Sequence, residues 1–314
     1  MGNLQLKNVN ILLIGGANRV TLAEKIKTLS EGILAPNFFS MELDNEFYPI
    51  ASVATVIPSS LFKSNAFRQE IEAFISKHEN TIIIPCMDGA IPAVAELATS
   101  YNNIIAPSLE GANIGLKKHA TAEFCKQYNV PHPKLFSTLE QVCSPVICKP
   151  IEGYGSKGIR IYEKGTEIDH RYFGNEYIVQ EFIDGAETTH DVYISHDGSW
   201  ISSSRDRLAV SGGEVDTCIV RQTNAQEKMI FRTIANSRLF KGPMTIQTMQ
   251  QGNKVYLIEI NCRLGGGVTA SIEAGFPIIE LLFEETFAFL TFPRRKKRNL
   301  IMKRAKRDFY EYID

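Results

Sequence analysis

MTIQTMQQGNKVYLIEINCRLGGGVTASIEA, residues Met244 to Ala274, sets two strand-like runs on either side of Gly252 and ends in a glycine triplet. Val255 to Ile260 is β-branched and aromatic, and the side-chain period of two along a strand sends Glu259 and Asn261 to one face and Ile258 and Ile260 to the other. The preceding run, Thr245 to Met249, returns through a loop of Gly252, Asn253 and Lys254. A three-residue loop of this kind sets Gln247 directly opposite Glu259. Three oxygen ligands with one formal charge suit Mg²⁺, a hard cation that keeps waters and shares its coordination with phosphates. Arg263, two residues past Asn261, then lies within reach of a phosphate. The same residues would also make a solvated strand end before a glycine loop, and this stretch alone does not choose between the two.

A second stretch, Ser144 to Ile161, reads SPVICKPIEGYGSKGIRI. A short apolar strand carries Lys149, a turn holds Gly153, Gly155 and Gly158, and another strand follows. Such a loop can lay backbone N–H groups over phosphate oxygens while a lysine supplies a point charge. The P-loop spacing is absent and no helix follows directly, so the grip is of another kind.

With these two stretches in hand, the sequence resembles the ATP-grasp superfamily, in particular single-module relatives of the carbamoyl-phosphate synthase large chain. The resemblance is carried by NIGLKKHATAEFCKQYNVPHPK, PVICKPIEGYGSKGI, YIVQEFIDGAETTHDVYI, MTIQTM, VYLIEINCRLGGG and EAGFPIIELL, in that order. It implies an α/β fold of the α+β ATP-grasp type: a Rossmann-like parallel sheet (residues 1–112), a lid subdomain (113–186) and a mainly antiparallel catalytic subdomain (187–314).

Composition bounds the partners. The 314 residues are 22% charged and 44% hydrophobic with a net charge of −1, enough for a large core and without bulk attraction to nucleic acid or membrane. Cys86, Cys125, Cys143, Cys148, Cys218 and Cys262 show no paired or metal-finger spacing, as expected of free thiols in a reducing, cytoplasmic setting. The first apolar run, Val9 to Ile14, is too short for a signal peptide or a span. Leu6 stands where myristoylation after Gly2 wants Ser or Thr. A homodimer is compatible with the chain, although no apolar helix face marks an interface.

The front of the chain alternates strand and helix. Strands are expected at Asn10 to Ile14, Asn37 to Met41, Ser52 to Ile57, Thr81 to Pro85 and Ile104 to Ala106, and helices at Thr21 to Leu29, Ala66 to Lys77 and Ile91 to Thr99. This is the pattern of a parallel sheet covered on both faces, which binds ligands at the carboxyl ends of its strands. Two loops stand at such ends, Gly15 to Arg19 and Cys86 to Gly89. Arg19 and Asp88 are therefore candidate acceptor-binding residues, Asp88 being equally readable as the N-cap of the helix that follows.

The remaining assignments come from the resemblance. Lys118 would reach the nucleotide from the start of a helix, Lys117 being a neighbour that could take its role. Lys149 would meet the α- or β-phosphate, with Gly155, Ser156 and Gly158 in a lid over the β- and γ-phosphates. Adenine would be held by backbone groups of Glu181 and Ile183 with Gln180 near its amine, and the ribose by Glu187. Further on, Arg205 and Arg207 could clamp a carboxylate or phosphoryl group, or be solvated strand-edge charges. Gly265, Gly266 and Gly267 precede a helix from Thr269 or Ser271 to Ala274 and could seat an acceptor carboxylate. A helix from Ile278 to Leu290, a basic linker at Arg294 to Arg298 and a last strand near Leu300 to Tyr312 complete the chain.

The cofactors implied are ATP with one or two Mg²⁺, held by Gln247, Glu259 and Asn261, with Lys149, Arg207 and Arg263 stabilising developing charge. The reaction implied joins a small-molecule carboxylate to an amine through an acyl phosphate, with release of ADP and phosphate. A carbamate- or carboxylate-phosphorylating enzyme and a nucleotide-binding regulatory protein are the competing readings. One departure is Cys262, where the family commonly has proline.

Overall fold

The computed structural model describes residues 7–44, 46–151 and 158–311. In chain order its elements are β1 (Lys7–Ile14), α1 (Val20–Ser30), β2 (Leu34–Glu42), β3 (Thr55–Pro58), α2 (Asn65–Lys77), β4 (Thr81–Pro85), α3 (Ile91–Leu97), α4 (Leu109–Leu116), α5 (Lys118–Gln127) and β5 (Leu135–Phe136). There follow β6 (Val146–Pro150), β7 (Arg160–Tyr162), β8 (Tyr177–Glu181), β9 (Ala186–Ile194), β10 (Trp200–Ser211), β11 (Glu214–Arg221), α6 (Ala225–Asn236), β12 (Gly242–Gln251), β13 (Lys254–Asn261), α7 (Val268–Glu273), α8 (Ile278–Thr286) and β14 (Leu300–Lys303).

The first sheet is parallel, in the order β3-β2-β1-β4. Alternate residues of β1 serve opposite cores: Val9, Ile11 and Leu13 pack with Ile26 of α1, while Leu12 and Ile14 pack with Phe67, Ile71 and Phe74 of α2. Burial on both faces is why Thr81–Pro85 reads as one apolar run with no alternation. Two expected strands are corrected here. Pro49–Ser52 forms a 3₁₀ turn, so that β3 begins only at Thr55. Ile104 to Ala106 is no strand: it is buried, but its continuation docks on the segment leading into β12, with Ser108 N–H donating to Leu239 O at 2.9 Å.

The second sheet is antiparallel, in the order β13-β12-β9-β10-β11-β14, and the third is the small sheet β5-β8-β6-β7 with a core of its own around Val146, Cys148, Tyr172 and Val179. Helices α4 and α5 place Ala112, Ile114, Phe124 and Cys125 in the same core as Met244, Ile246 and Ile260, so they lie on the large sheet. On that covered face His190 is fully buried between the Ser204 and Thr248 hydroxyls, each at 2.8 Å. Burial drives its pKa down to about 4, which keeps it neutral at physiological pH.

The β12–β13 hairpin pairs Gln247 with Glu259 as expected, but by another route. Gln251 already pairs with Lys254, so the turn has two residues, Gly252 (φ +57°) and Asn253. The missing residue is restored by a bulge: Gln247 faces Glu259, the next pair is Thr248 with Leu257, and Ile258 is left over. Core contacts therefore come from Val255, Leu257 and Ile260, and Ile258 does not share the face of Ile260.

Of the C-terminal elements, the first starts earlier than expected and the other two are shorter. α7 begins at Val268, α8 ends at Thr286 and β14 covers only Leu300–Lys303. The basic segment is an exposed linker, as expected, but several of its charges are engaged. Arg294 pairs with Glu284 at 2.5 Å and Arg295 with Glu280 at 2.9 Å, and the Lys297 ammonium lies 5.7 Å from the centre of the Phe276 ring. Arg307 then reaches Glu24 of α1 at 2.6 Å, so the last residues tie the large sheet back to the first domain.

Candidate active site

The open face of the large sheet carries the polar residues. Antiparallel register aligns Glu259 with Gln247 and Gln247 with Thr189, and in the next row Asn261 with Thr245 and Thr245 with Asp191. Glu187 begins the same face of β9. Its carboxylate accepts from the Gln247 amide at 2.5 Å and is ion-paired with Arg207, which also donates to Gly213 O at 3.0 Å. Arg207 thus stands in the sheet as a paired residue, and its Nε is buried without a partner among the described residues.

Two lysines arrive from other elements. Lys118 is the first residue of α5, and Lys149 comes from β6 of the small sheet, where it donates to Gln180 Oε1 at 3.1 Å. Burial pulls the Lys149 pKa down and the charge of Lys118 adds to this, while Glu259 and Glu187 oppose it. Glu259 shows the complementary behaviour. Burial and then the nearby Asp88 carboxylate push its pKa up, against Lys118, Arg263 and Lys149. Three cations and two carboxylates from four parts of the chain therefore converge on one place, and at Lys149 and Glu259 burial outweighs what the neighbouring charges return.

Asp88 is not a helix cap: the residue preceding α3 is Ala90 and no side chain caps it. One Asp88 oxygen accepts from Arg263 Nη2 at 2.6 Å, and the other is buried without a partner among the described residues. Burial disfavours the Arg263 charge, but Asp88 outweighs this and holds the guanidinium above its ordinary range. Cys262, in place of the usual proline, is buried with its thiol pushed upward by desolvation, and it packs under α4 with its thiol 3.7 Å from Gly111 O.

At the end of β8, Glu181 gives its N–H to Lys134 O at 2.8 Å, so the backbone group it could offer a base is its carbonyl. Ile183 follows, buried to 3% exposure. A Cβ at Gly185 would stand 2.2 Å from Gln250 O, so only glycine lets the chain cross the end of β12 so closely. Gly158 (φ +74°) packs on Pro150, whereas Gly155 and Ser156 lie outside the described residues.

The turn after β1 brings Arg19 to Gly266: a Cβ there would stand 3.1 Å from Arg19 Nη1. The turn is fixed by a residue that sequence reading missed. Glu42, at the end of β2, is buried, accepts from the Ser40 hydroxyl at 2.5 Å and takes N–H bonds from Gly16 and Ala17. Burial nonetheless raises its pKa above the usual carboxylate range. An acidic residue closing β2 after a Gly-Gly turn was the available signal. Two others were missed. Asp191 locks Arg205 through bonds of 2.7 and 3.0 Å and accepts from Ser271 at 2.6 Å, and Arg304 reaches Gly266 O at 2.7 Å.

Two sheets from different parts of the chain thus each lend a lysine or a carboxylate to one charged cluster. Residues 116–267 match the family model described as an ATP-grasp domain, so this part of the chain is an ATP-grasp domain. No curated protein matches the sequence. Among solved structures, the chain is similar to N5-carboxyaminoimidazole synthetase from Staphylococcus aureus complexed with ADP (16% identity, TM-score 0.73, covering 95% of this chain and 83% of that one). It is also similar to L-amino acid ligase from Bacillus licheniformis (18%, 0.65, 90% and 75%) and to biotin carboxylase from Campylobacter jejuni (17%, 0.66, 90% and 72%). At these identities the likeness is one of fold. No helix among the described residues is long and apolar enough to cross a membrane.

Proposed function

We propose that the protein is an ATP-dependent ligase that activates a carboxylate as an acyl phosphate and passes it to an amine, forming a C–N bond with release of ADP and phosphate. The observation that carries this reading is the convergence of Lys118, Lys149 and Arg263 on Glu259 in a cleft between two sheets. Three cations around a desolvated carboxylate match a polyphosphate with its counter-cation better than they match each other. The L-amino acid ligase and the ADP-bound N5-carboxyaminoimidazole synthetase that share the fold support the same direction.

The donor set fits Mg²⁺. Among the described residues no group of three or more His, Cys, Asp or Glu side chains could hold a metal. Glu259 is the one carboxylate of the Gln247, Glu259 and Asn261 set, and its raised pKa marks a desolvated site that a cation would relieve. A hard cation bound there would supply counter-charge to the phosphates. Gln247, Glu259 and Asn261 would hold it. Lys118 and Lys149 bind and orient the phosphates, Gln180 positions the Lys149 ammonium, and the hinge at Glu181 and Ile183 holds the base. Arg263, aligned by Asp88, faces the transferred group, while Arg207, held by Glu187, braces the ribose end of the cleft. Small-molecule carboxylate and amine substrates would enter from Arg19, Asp88 and Gly266.

Nucleotide product analysis tests the reading. Purified protein with Mg·ATP, challenged with pools of amino acids and sugar acids, is expected to release ADP and phosphate only with particular pools and to form an amine-dependent adduct. AMP with pyrophosphate would reject transfer of the γ-phosphoryl group. ADP release without an amine-dependent product would reject the ligase in favour of a phosphotransferase.

A further inference from the structure

We infer that Arg19 and Arg304 form a seat for an anionic group of the acceptor, separate from the group that is activated, and that Glu214 occupies this seat when the acceptor is absent. The inference rests on the ligase reading only in calling the occupant an acceptor. Arg19 lies in the turn after β1, Glu214 opens β11, and Arg304 follows β14. All three meet over Gly266. A Cβ on Gly266 would stand 3.0 and 3.1 Å from the two Glu214 oxygens and 3.1 Å from Arg19 Nη1, so the glycine leaves room that a side chain would fill.

Arg304 is fixed from both sides. Its N–H donates to Asp216 O at 2.7 Å, its Nη2 donates to Gly266 O at 2.7 Å, and its Nη1 is paired with Glu214. Arg307, three residues on, is anchored to α1 through Glu24. Two guanidiniums therefore face one carboxylate, which leaves a positive surplus. Among the described residues no carboxylate stands within ion-pair distance of Arg19, whose side chain contacts the Cys86 thiol. The surplus charge therefore belongs to Arg19.

Glu214 is well placed to yield. Its side chain is 57% exposed and it sits next to Gly212 (φ +56°) and Gly213 (φ +83°) at the β10–β11 turn. An exposed pair of this kind is worth only about 0–1 kcal/mol. A ligand carboxylate or phosphate taken up by two forked guanidiniums gains charge-assisted bonds to both, and can displace Glu214 from Arg304. The acceptor is accordingly expected to carry an anionic group in addition to its reacting group.

The test uses the full chain without nucleotide, titrated calorimetrically with succinate, L-glutamate or inorganic phosphate. Binding of at least one probe is expected, tightened about threefold to fivefold in Glu214→Gln, where the competitor's charge is gone. It should weaken about tenfold in Arg304→Gln. Arg304→Lys should recover it only in part, because a point charge does not replace the fork. Preference for succinate or for phosphate decides which anion the seat takes. Equal affinity across the variants, or no binding to any of them, would overturn the seat. Should Arg304→Gln fail to fold, Glu214→Gln and Arg304→Lys carry the comparison. The assay needs no turnover, so seat binding without ADP release rejects the ligase and keeps the seat, and the converse rejects only the seat.

Discussion

Glu259→Gln is expected to abolish turnover and, without nucleotide or metal, to make the protein more stable. The loss should be at least about 10²–10³-fold, the scale for removing one group aimed at charge in the transition state. The gain follows from the raised pKa. Burial and Asp88 disfavour the ionised carboxylate, so the folded protein keeps the Glu259 proton over a window in which the unfolded chain has released it. Across that window the unfolded state binds fewer protons, and this contribution to stability falls as pH rises towards neutrality. Glutamine removes the ionisation with little change of shape. Tm should therefore rise by about 2–4 °C near pH 7 and hardly at all near pH 4. Retained turnover would remove Glu259 from the metal set; a lower Tm at neutral pH would show that its charge is compensated in the ligand-free protein.

The second large effect is on stability alone. Arg205 and Asp191 are 1% and 0% exposed, with bidentate geometry and a further bond from Ser271. Burial opposes the Arg205 charge, but Asp191 holds it above its ordinary range. Asp191→Ala leaves a buried guanidinium without its partner and should cost about 3–5 kcal/mol in urea unfolding. Replacing both, as Asp191→Leu with Arg205→Met, should restore most of that loss, since the penalty lies in the unpaired charge. A single-variant loss below about 1 kcal/mol would mean that water or another group reaches Arg205. The pair also bears on the site: a Cβ at Gly267 would stand 2.1 Å from Arg205 Nη1, so the guanidinium supports the glycine triplet from beneath.

Much of this architecture was legible from residue patterns, and the failures share one cause. Thr81–Pro85 was read to the residue because an uninterrupted apolar run in an α/β chain has one role. Lys149 stood out because an amine inside an apolar strand must meet an anion. Ile104 to Ala106 looks the same locally, but whether a run pairs with a neighbour depends on distant chain, here Leu239 and Gly242. Asp191 and Arg205 are partners only once β9 and β10 are in register, and Arg304 reaches Gly266 across 38 residues. The Gln247–Glu259 pairing was anticipated through a longer turn than the one present, because the period-two pattern gives no sign of where one strand takes up an extra residue.

That extra residue, Ile258, keeps two halves of one strand in phase. Before it Val255 and Leu257 face the core; after it Ile260 faces the same core while Glu259 and Asn261 face the opposite side. Substituting Ile258 alters one side chain, whereas an in-frame loss of its codon would shift the strand by half a repeat, sending either the core residues or the candidate metal ligands to the wrong side. At this position the gene can tolerate a change of letter far better than a change of length.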